Sequence, residues 1–401
     1  MYLPALKDTN PELAFIVNVC NGVGSTESTA QLNWDLVLKI AQCHRLVSTL
    51  YPLLRAQQHI SPTHLEAWHQ AVSQNKQHVG LCWLELGRLN SIFKKDSIDF
   101  IALKGPLLGY LYYPDPTLRE CNDIDILVKE EQVDQTVEVL KTLGYVLTNP
   151  IWYTPRQKKA YLENFQHYCF SHSETGLQLE LHWRLSADFK LFDLLHLQQT
   201  QRFRQIEVGN KHFSYLMPTD NFIYLCVHGS THRWKRLFWI MDIARIIERE
   251  GELFLLDVYP KVKQTPFELS ILWGCALAKH HFGTALPSLI QGAIENHKEI
   301  PRLVKIAELY ITNCHLEGTN PFSRYDFFSL AVRKTFQDQR AVFYLHGLRG
   351  NVLSFKRSLL NPLFWQQVSI PDSLFIFNYI LAPFLWISAF FKRTMTNDNG
   401  I

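Results

Sequence analysis

The stretch RECNDIDIL, residues 119–127, places two carboxylates two residues apart inside an apolar run. Side chains alternate between the faces of a β-strand, so we expect Asp123 and Asp125 to share one face while Ile124 and Ile126 point into a core. Adjacent carboxylates repel each other unless a cation lies between them, and Mg²⁺ prefers carboxylate and phosphate oxygens as ligands. The stretch therefore predicts a metal site for phosphate chemistry. The alternative is a solvated strand face or a turn.

A phosphate-binding corner is predicted just upstream of this strand. Residues 98–103 (IDFIAL) are typical of a strand, and residues 106–112 are typical of a helix with proline in its first turn. Lys104 and Gly105 lie at the turn between them. Backbone N–H groups and the helix dipole favour an anion at a helix N-terminus, and Lys104 adds positive charge. We therefore expect Lys104 and Gly105 to bind phosphate.

A third carboxylate is expected on a later strand. In residues 177–182 (LQLELH) leucines alternate with polar residues, which places Glu180 and His182 on the face opposite the leucines. Glu180 can then complete a three-carboxylate site with the two aspartates, whereas the alternative is an exposed amphipathic strand. For His182 a hydrogen-bonding role is favoured over that of a ligand or base, and we place it among the substrate-binding candidates.

Together these segments resemble the uncharacterised bacterial nucleotidyltransferases of the polymerase-β-like superfamily. The resemblance covers most of residues 30–390, and its specific motifs lie within about 98–245. It implies an α+β fold in which a mixed-sheet nucleotidyltransferase core is flanked by a helical N-terminal cover and a helical C-terminal domain. We accordingly predict a helical region at 1–96, the catalytic domain at 97–215 and a helical domain at 216–401.

The resemblance also implies a reaction. A nucleoside monophosphate would pass from an NTP such as ATP to a hydroxyl-bearing acceptor, with two Mg²⁺ ions, or Mn²⁺, held by Asp123, Asp125 and Glu180. The acceptor is unidentified: a small molecule, peptide, saccharide or RNA. The superfamily commonly has a Gly-Ser or Gly-Thr pair where this chain has Gly105-Pro106, a departure that bears on the nucleotide's binding pose.

Two further groups of residues are candidates for substrate contact. Arg119 could bind phosphate or form a salt bridge with Glu120 or another neighbour. The segment HGSTHRW, residues 228–234, would place His228 and His232 on one helix face, with Arg233 beside them. For this segment the alternatives are a hydrogen-bonded helix end and, less favoured, a separate metal site. Asp242 and Arg245 have the spacing of a helix-surface salt bridge.

Composition limits the classes of function. The net charge of +3 gives no strong basic field for DNA binding, and 47% apolar content is ample for a folded core. The eight cysteines are scattered without a C-x-x-C pair, which favours reduced buried thiols over a zinc site or a disulfide framework. No secretion signal is evident at the N-terminus. We therefore predict a cytoplasmic protein.

The apolar segment at 374–391 is long enough to approach the limit for a membrane span. A buried terminal helix is favoured over an interfacial one, and both are favoured over a span. The interfacial alternative would place the protein peripherally at the inner face of the membrane. For the chain as a whole, the alternatives to an enzyme acting on a metabolite are a noncatalytic nucleotide-binding or interaction module and an RNA-modifying toxin of a defence pair.

Overall fold

A computed structural model describes residues 10–22, 32–56, 60–152, 154–186, 203–265, 267–314, 360, 370–377, 379–381 and 384. Its helices are α1 Pro11–Cys20, α2 Trp34–Cys43, α3 Val47–Arg55, α4 Pro62–Lys95, α5 Gly105–Tyr112, α6 Val133–Thr142, α7 Pro155–Asn164, α8 Pro218–Thr231, α9 Leu237–Glu250, α10 Glu252–Val262, α11 Glu268–Phe282, α12 Ser288–Asn296 and α13 Ile300–Thr312. Its strands are β1 Phe100–Ala102, β2 Asp123–Val128, β3 Tyr145–Asn149, β4 His167–His172, β5 Gln178–His182, β6 Phe203–Val208 and β7 Lys211–Leu216.

The strands show the mixed sheet that was predicted. Within the described ranges, five strands form one sheet in the order β1-β2-β5-β4-β3, and β6 pairs with β7 in a separate hairpin. β2 and β5 are parallel, whereas β5–β4 and β4–β3 are antiparallel. Most of the remaining described chain is helical. The predicted α+β fold class is therefore confirmed.

The chain forms two compact units, each made of segments that are not contiguous in sequence. One unit comprises Met1–Leu89, Ala102–Asn122 and Arg202–Thr319, and we call it the helical unit. The other comprises Asn90–Ile101, Asp123–Gln201 and Asn320–Ile401 and contains most of the five-stranded sheet, so we call it the sheet unit. The domain boundaries at 96/97 and 215/216 stay predictions.

Local sequence signals account for the ends of several elements. Asn10 and Asn33 accept hydrogen bonds from the backbone N–H groups of Leu13 and Leu36, which caps α1 and α2. The predicted helix at 130–143 is observed as a 3₁₀ turn followed by α6, and it ends before Gly144, whose φ of +89° suits glycine. The predicted strand at 145–147 then begins β3.

The helical unit is built around large buried side chains. Trp234 and Trp273 are fully buried, and Trp234 packs against Gly229 of α8 and Gly274 of α11. A side chain at either glycine would meet the indole ring: an added Cβ at Gly229 would lie 2.4 Å from Trp234 Cζ3. The two glycines therefore allow the ring to fill the space beside both helices.

The cysteine prediction requires a correction. Cys43 and Cys314 form a disulfide, with their Cα atoms 6.1 Å apart and a separation of 271 positions in sequence. Scattered spacing indicated reduced thiols, but helices distant in sequence bring these two cysteines together. The other six cysteines form no disulfide, and four of them are buried as expected.

The C-terminal segment lies largely outside the described residues. Of 374–391, the structure describes 374–377, 379–381 and 384. No helix within the described ranges is both long and apolar enough to cross a membrane. Peripheral membrane contact through this segment stays a prediction.

Candidate functional site

The polar residues of the sheet unit align across three adjacent strands. The register pairs Asp125 of β2 with Glu180 of β5, and Glu180 in turn with Cys169 of β4. Two pairs further along, His182 of β5 is opposite His167 of β4. Cross-strand partners lie on the same face of a sheet, so these five side chains share one face.

The apolar residues between them hold this arrangement in place. These apolar residues form the opposite, buried face of the three strands: Ile124, Ile126, Tyr168, Phe170, Leu179 and Leu181. A shift of register by one residue would move the whole apolar set away from the core and the carboxylates into it. Burial of that set therefore determines which way the carboxylates point.

His182 connects two of the predicted metal ligands. Its Nε2 atom lies 3.2 Å from Asp125 Oδ1 and 3.1 Å from Glu180 Oε2. Asp125 and His182 are each only 3% exposed, whereas Glu180 is partly open to solvent. Asp123 lies two residues before Asp125 on the same strand face, at the half-buried start of β2. The structure thus brings Asp125, Glu180 and His182 together, and the predicted hydrogen-bonding role of His182 matches its contacts.

His167 is a member of this face that the sequence interpretation missed. Its Nε2 atom lies 3.9 Å from Glu180 Oε1, and its ring centroid is 4.9 Å from that of His182. The signal was present in HYCFS, residues 167–171, where polar and aromatic residues alternate as they do in β5. The partner strand, however, could not be identified from the alternation alone.

The electrostatics of this face are dominated by its carboxylates. Burial, followed by the negative charges of Glu180, Asp123 and Asp125, raises the pKa of the Cys169 thiol to about 12. The thiol is therefore neutral at physiological pH and adds no further negative charge. A cation would relieve the repulsion among the carboxylates.

The donor atoms suit a divalent metal ion. Nitrogen or oxygen atoms of His167, Glu180 and His182 lie within 4.8 Å of one another, and Asp125 adds a buried carboxylate oxygen within 3.2 Å of His182. Carboxylate oxygens suit Mg²⁺ or Mn²⁺, and imidazole nitrogens add affinity for transition metals. The group of His167, Glu180 and His182 can therefore hold a divalent cation, but it shares only Glu180 with the predicted ligand set, and binding of Mg²⁺ by Asp123, Asp125 and Glu180 stays a prediction.

The predicted phosphate corner belongs to the helical unit. α5 begins at Gly105, where φ is +60°, and Pro106 lies in its first turn as expected. Lys104 lies at the N-cap position, and its Nζ atom is 5.9 Å from the centroid of the Tyr224 ring. Phosphate binding by Lys104 and Gly105 stays a prediction.

Arg119 forms a buried ion pair. Its Nε and Nη2 atoms donate to the two oxygens of Asp242 at 2.9 Å each, and Nη1 donates to the Gly105 carbonyl at 3.0 Å. Both charged side chains are less than 5% exposed. This is the salt-bridge alternative, with Asp242 rather than Glu120 as the partner, whereas a phosphate contact by Arg119 stays a prediction.

The expected surface pair between Asp242 and Arg245 is wrong. Asp242 is 1% exposed and also accepts a hydrogen bond of 2.8 Å from the Tyr113 hydroxyl, while Arg245 pairs with Glu248 on the helix surface. Burial and the nearby Asp242 charge raise the pKa of Tyr113, so its hydroxyl stays protonated and can donate. Spacing along α9 could not reveal that Asp242 faces inward.

The histidines of the HGSTHRW segment lie together at the end of α8. The ring centroids of His228 and His232 are 4.6 Å apart, and each lies within 5.4 Å of the Trp239 ring. α8 ends at Thr231, and the N–H of His232 donates to the His228 carbonyl, as in the helix-end alternative. Arg233 and Trp234 both have positive φ, at 56° and 52°. Substrate contact by His228, His232 and Arg233 stays a prediction.

Comparison with known proteins identifies the family to which the chain belongs. The family model described as uncharacterised nucleotidyltransferase matches residues 30–283, which is more than half of the chain. No curated protein matches the chain significantly. The matched range includes both strands that carry the carboxylates, and it confirms the resemblance inferred from the sequence motifs. The chain therefore belongs to the family of uncharacterised nucleotidyltransferases and is an enzyme of that class.

Proposed function

We propose that the protein transfers a nucleoside monophosphate from an NTP to a hydroxyl-bearing acceptor, with Asp123, Asp125 and Glu180 binding divalent metal ions, Mg²⁺ or Mn²⁺. The acceptor oxygen forms a bond to the α-phosphorus and gives up its proton to solvent, the bond from that phosphorus to the β-phosphate oxygen breaks, and pyrophosphate leaves. The observation that carries the proposal is the convergence of Asp125 and Glu180 on His182 Nε2, at 3.2 and 3.1 Å.

Each residue has a role that its surroundings support. When bound, the metal neutralises phosphate charge and stabilises the charge that develops during transfer. Asp125 is held by a buried strand and by His182, so its orientation is set before any ligand arrives. Glu180 is partly exposed and can therefore face substrate.

Asp125→Asn tests the carboxylate role without changing the volume of the side chain. Purified protein is incubated with Mg²⁺, each α-labelled NTP and fractionated metabolites, peptides and RNA from the host. We expect label transfer and pyrophosphate release by the unaltered protein, and a loss of at least about 100-fold in Asp125→Asn, as for removal of one charge-stabilising group. The fraction that becomes labelled identifies the acceptor class.

Asp99→Asn is the matched control. Asp99 lies in the sheet unit, its carboxylate is 84% exposed, and it contacts only the surface Lys129 among the ion pairs described, at 3.6 Å. This variant should retain full activity. If the unaltered protein binds NTP but releases no pyrophosphate, and Asp125→Asn leaves Mn²⁺ affinity unchanged, the protein is a noncatalytic module and the proposal fails.

A further inference from the structure

A second cluster of metal-binding side chains, made of residues not discussed above, lies in the helical unit. His280 and His281 occupy the last turn of α11, and Glu308 lies on α13. Glu308 Oε1 is 2.9 Å from His281 Nε2 and 3.6 Å from His280 Nε2. One potential ligand atom from each residue lies within 4.8 Å of the others. Two helices therefore supply a compact group of two imidazoles and one carboxylate.

The closest pair in this cluster, His281 and Glu308, is in ion-pair contact but poorly aligned for a hydrogen bond. Neither ring nitrogen of His281 has a hydrogen-bond partner among the described residues, and the same holds for Glu308 Oε1, although the two side chains approach to 2.9 Å. The His281 side chain is fully buried. Buried polar atoms nearly always have a partner. A metal ion that binds His281 Nε2 and Glu308 Oε1 together would satisfy both of these buried atoms.

The distances match those around a tetrahedral zinc ion. Zinc binds nitrogen at about 2.0–2.1 Å and carboxylate oxygen at about 2.0–2.2 Å, so two ligands of one tetrahedral ion lie about 3.3–3.4 Å apart. The observed 2.9 and 3.6 Å separations lie on either side of that value. Small rotations of the exposed His280 ring and of the carboxylate would bring the three atoms into place.

The position on α11 also favours a cation. α11 ends at Phe282 and is followed by Gly283 in the left-handed conformation, so the two histidines lie at the C-terminal end of the helix. The negative end of the helix dipole stabilises positive charge there. His280 is 40% exposed, which gives an ion a route from solvent to the buried His281.

We propose that His280, His281 and Glu308 bind one Zn²⁺ ion, with water as the fourth ligand. Two imidazoles favour Zn²⁺ over Mg²⁺, which prefers oxygen ligands and keeps much of its hydration shell. The ion would join α11 to α13 and thereby stabilise the helical unit. The proposed zinc ligands include none of the residues proposed for catalysis, so this proposal does not depend on the proposed function.

Zinc affinity, measured by competition with a chromophoric chelator, tests the proposal. The full-length protein is prepared without a histidine tag and in a Glu180→Gln background, which removes a carboxylate of the sheet cluster. We expect one Zn²⁺ per chain, and affinity at least about 100-fold weaker in His280→Ala and in Glu308→Gln, since loss of even an outer-shell partner costs 10–100-fold. His69→Ala, at an exposed histidine on α4, should leave the affinity unchanged.

Thermal melts in the presence of a chelator show whether each variant is folded before zinc is added. The increase in Tm on adding Zn²⁺ should be present in the background protein and in His69→Ala, and absent from His280→Ala and Glu308→Gln. Equal zinc affinity in all four proteins would overturn the proposal. So would a background protein that binds no zinc.

Discussion

Removing one charge of the Arg119–Asp242 pair should destabilise the protein strongly. Asp242→Asn keeps the shape of the side chain and an oxygen acceptor for Tyr113, but it leaves the guanidinium of Arg119 buried without a counter-charge. The two side chains are 4% and 2% exposed and share two hydrogen bonds of 2.9 Å. Solvent therefore cannot replace the lost carboxylate.

The expected magnitude follows from that burial. Breaking a buried ion pair by removal of one partner costs about 3–5 kcal/mol. For a domain of roughly 150–250 residues, each kcal/mol lowers Tm by about 2–4 °C, so Asp242→Asn should lower Tm by about 6–20 °C. The surface pair between Arg245 and Glu248 is the matched control on the same helix. Glu248→Gln should cost less than about 1 kcal/mol because that pair is solvated.

The coupling between the two residues is measured by thermal and urea unfolding of Arg119→Met, Asp242→Asn and the double variant. Each single variant leaves one buried charge unpaired, whereas the double variant leaves none, so the double variant should be destabilised by much less than the sum of the singles. Additive changes, within about 0.5 kcal/mol, would refute the reasoning. Loss of NTP binding by Arg119→Met with unchanged stability would instead support a phosphate contact.

Two further predictions concern packing and covalent linkage in the helical unit. Gly229→Ala should destabilise the protein by about 1–3 kcal/mol in urea unfolding, because its Cβ would lie 2.4 Å from the Trp234 ring. Gly80→Ala, in a helix with no atom within 4 Å of the added Cβ, should instead be neutral or stabilise by up to about 1 kcal/mol. Peptide mapping without reductant should recover Cys43 linked to Cys314, and reduction should cost about 2–5 kcal/mol of stability. Failure to recover the linked peptide, or an unchanged Tm on reduction, would contradict the disulfide.

Sequence reasoning correctly predicted those strands, strand faces and helix ends that depend only on neighbouring residues in the chain. Alternation in residues 123–128 and 177–182 predicted both strands and the polar faces of Asp125 and Glu180, because the orientation of a strand side chain depends only on its position in the strand. Gly144 and Pro106 likewise marked helix ends through their own backbone preferences. The family could be inferred from the same short segments.

Contacts between distant segments could not be predicted in this way. Arg119 and Asp242 are 123 residues apart in sequence, and the spacing of Asp242 from Arg245 suggested a surface pair instead. His167 became part of the carboxylate face only when β4 paired with β5. Which residues become neighbours depends on strand order and helix packing. The same local sequence pattern is compatible with several strand orders and packings.

The sequence alone thus determined which strand faces are polar, that Asp125 and Glu180 lie on those faces, and the family, since each follows from residue type and local spacing. The tertiary structure decided the parallel pairing that brings Asp125 beside Glu180 and the burial of Arg119 against Asp242. It also decided the approach of Glu308 to His281 across two helices. The free energy that selects such contacts comes from burying whole apolar faces against each other. Because each face is assembled from several segments, no single segment predicts the contacts.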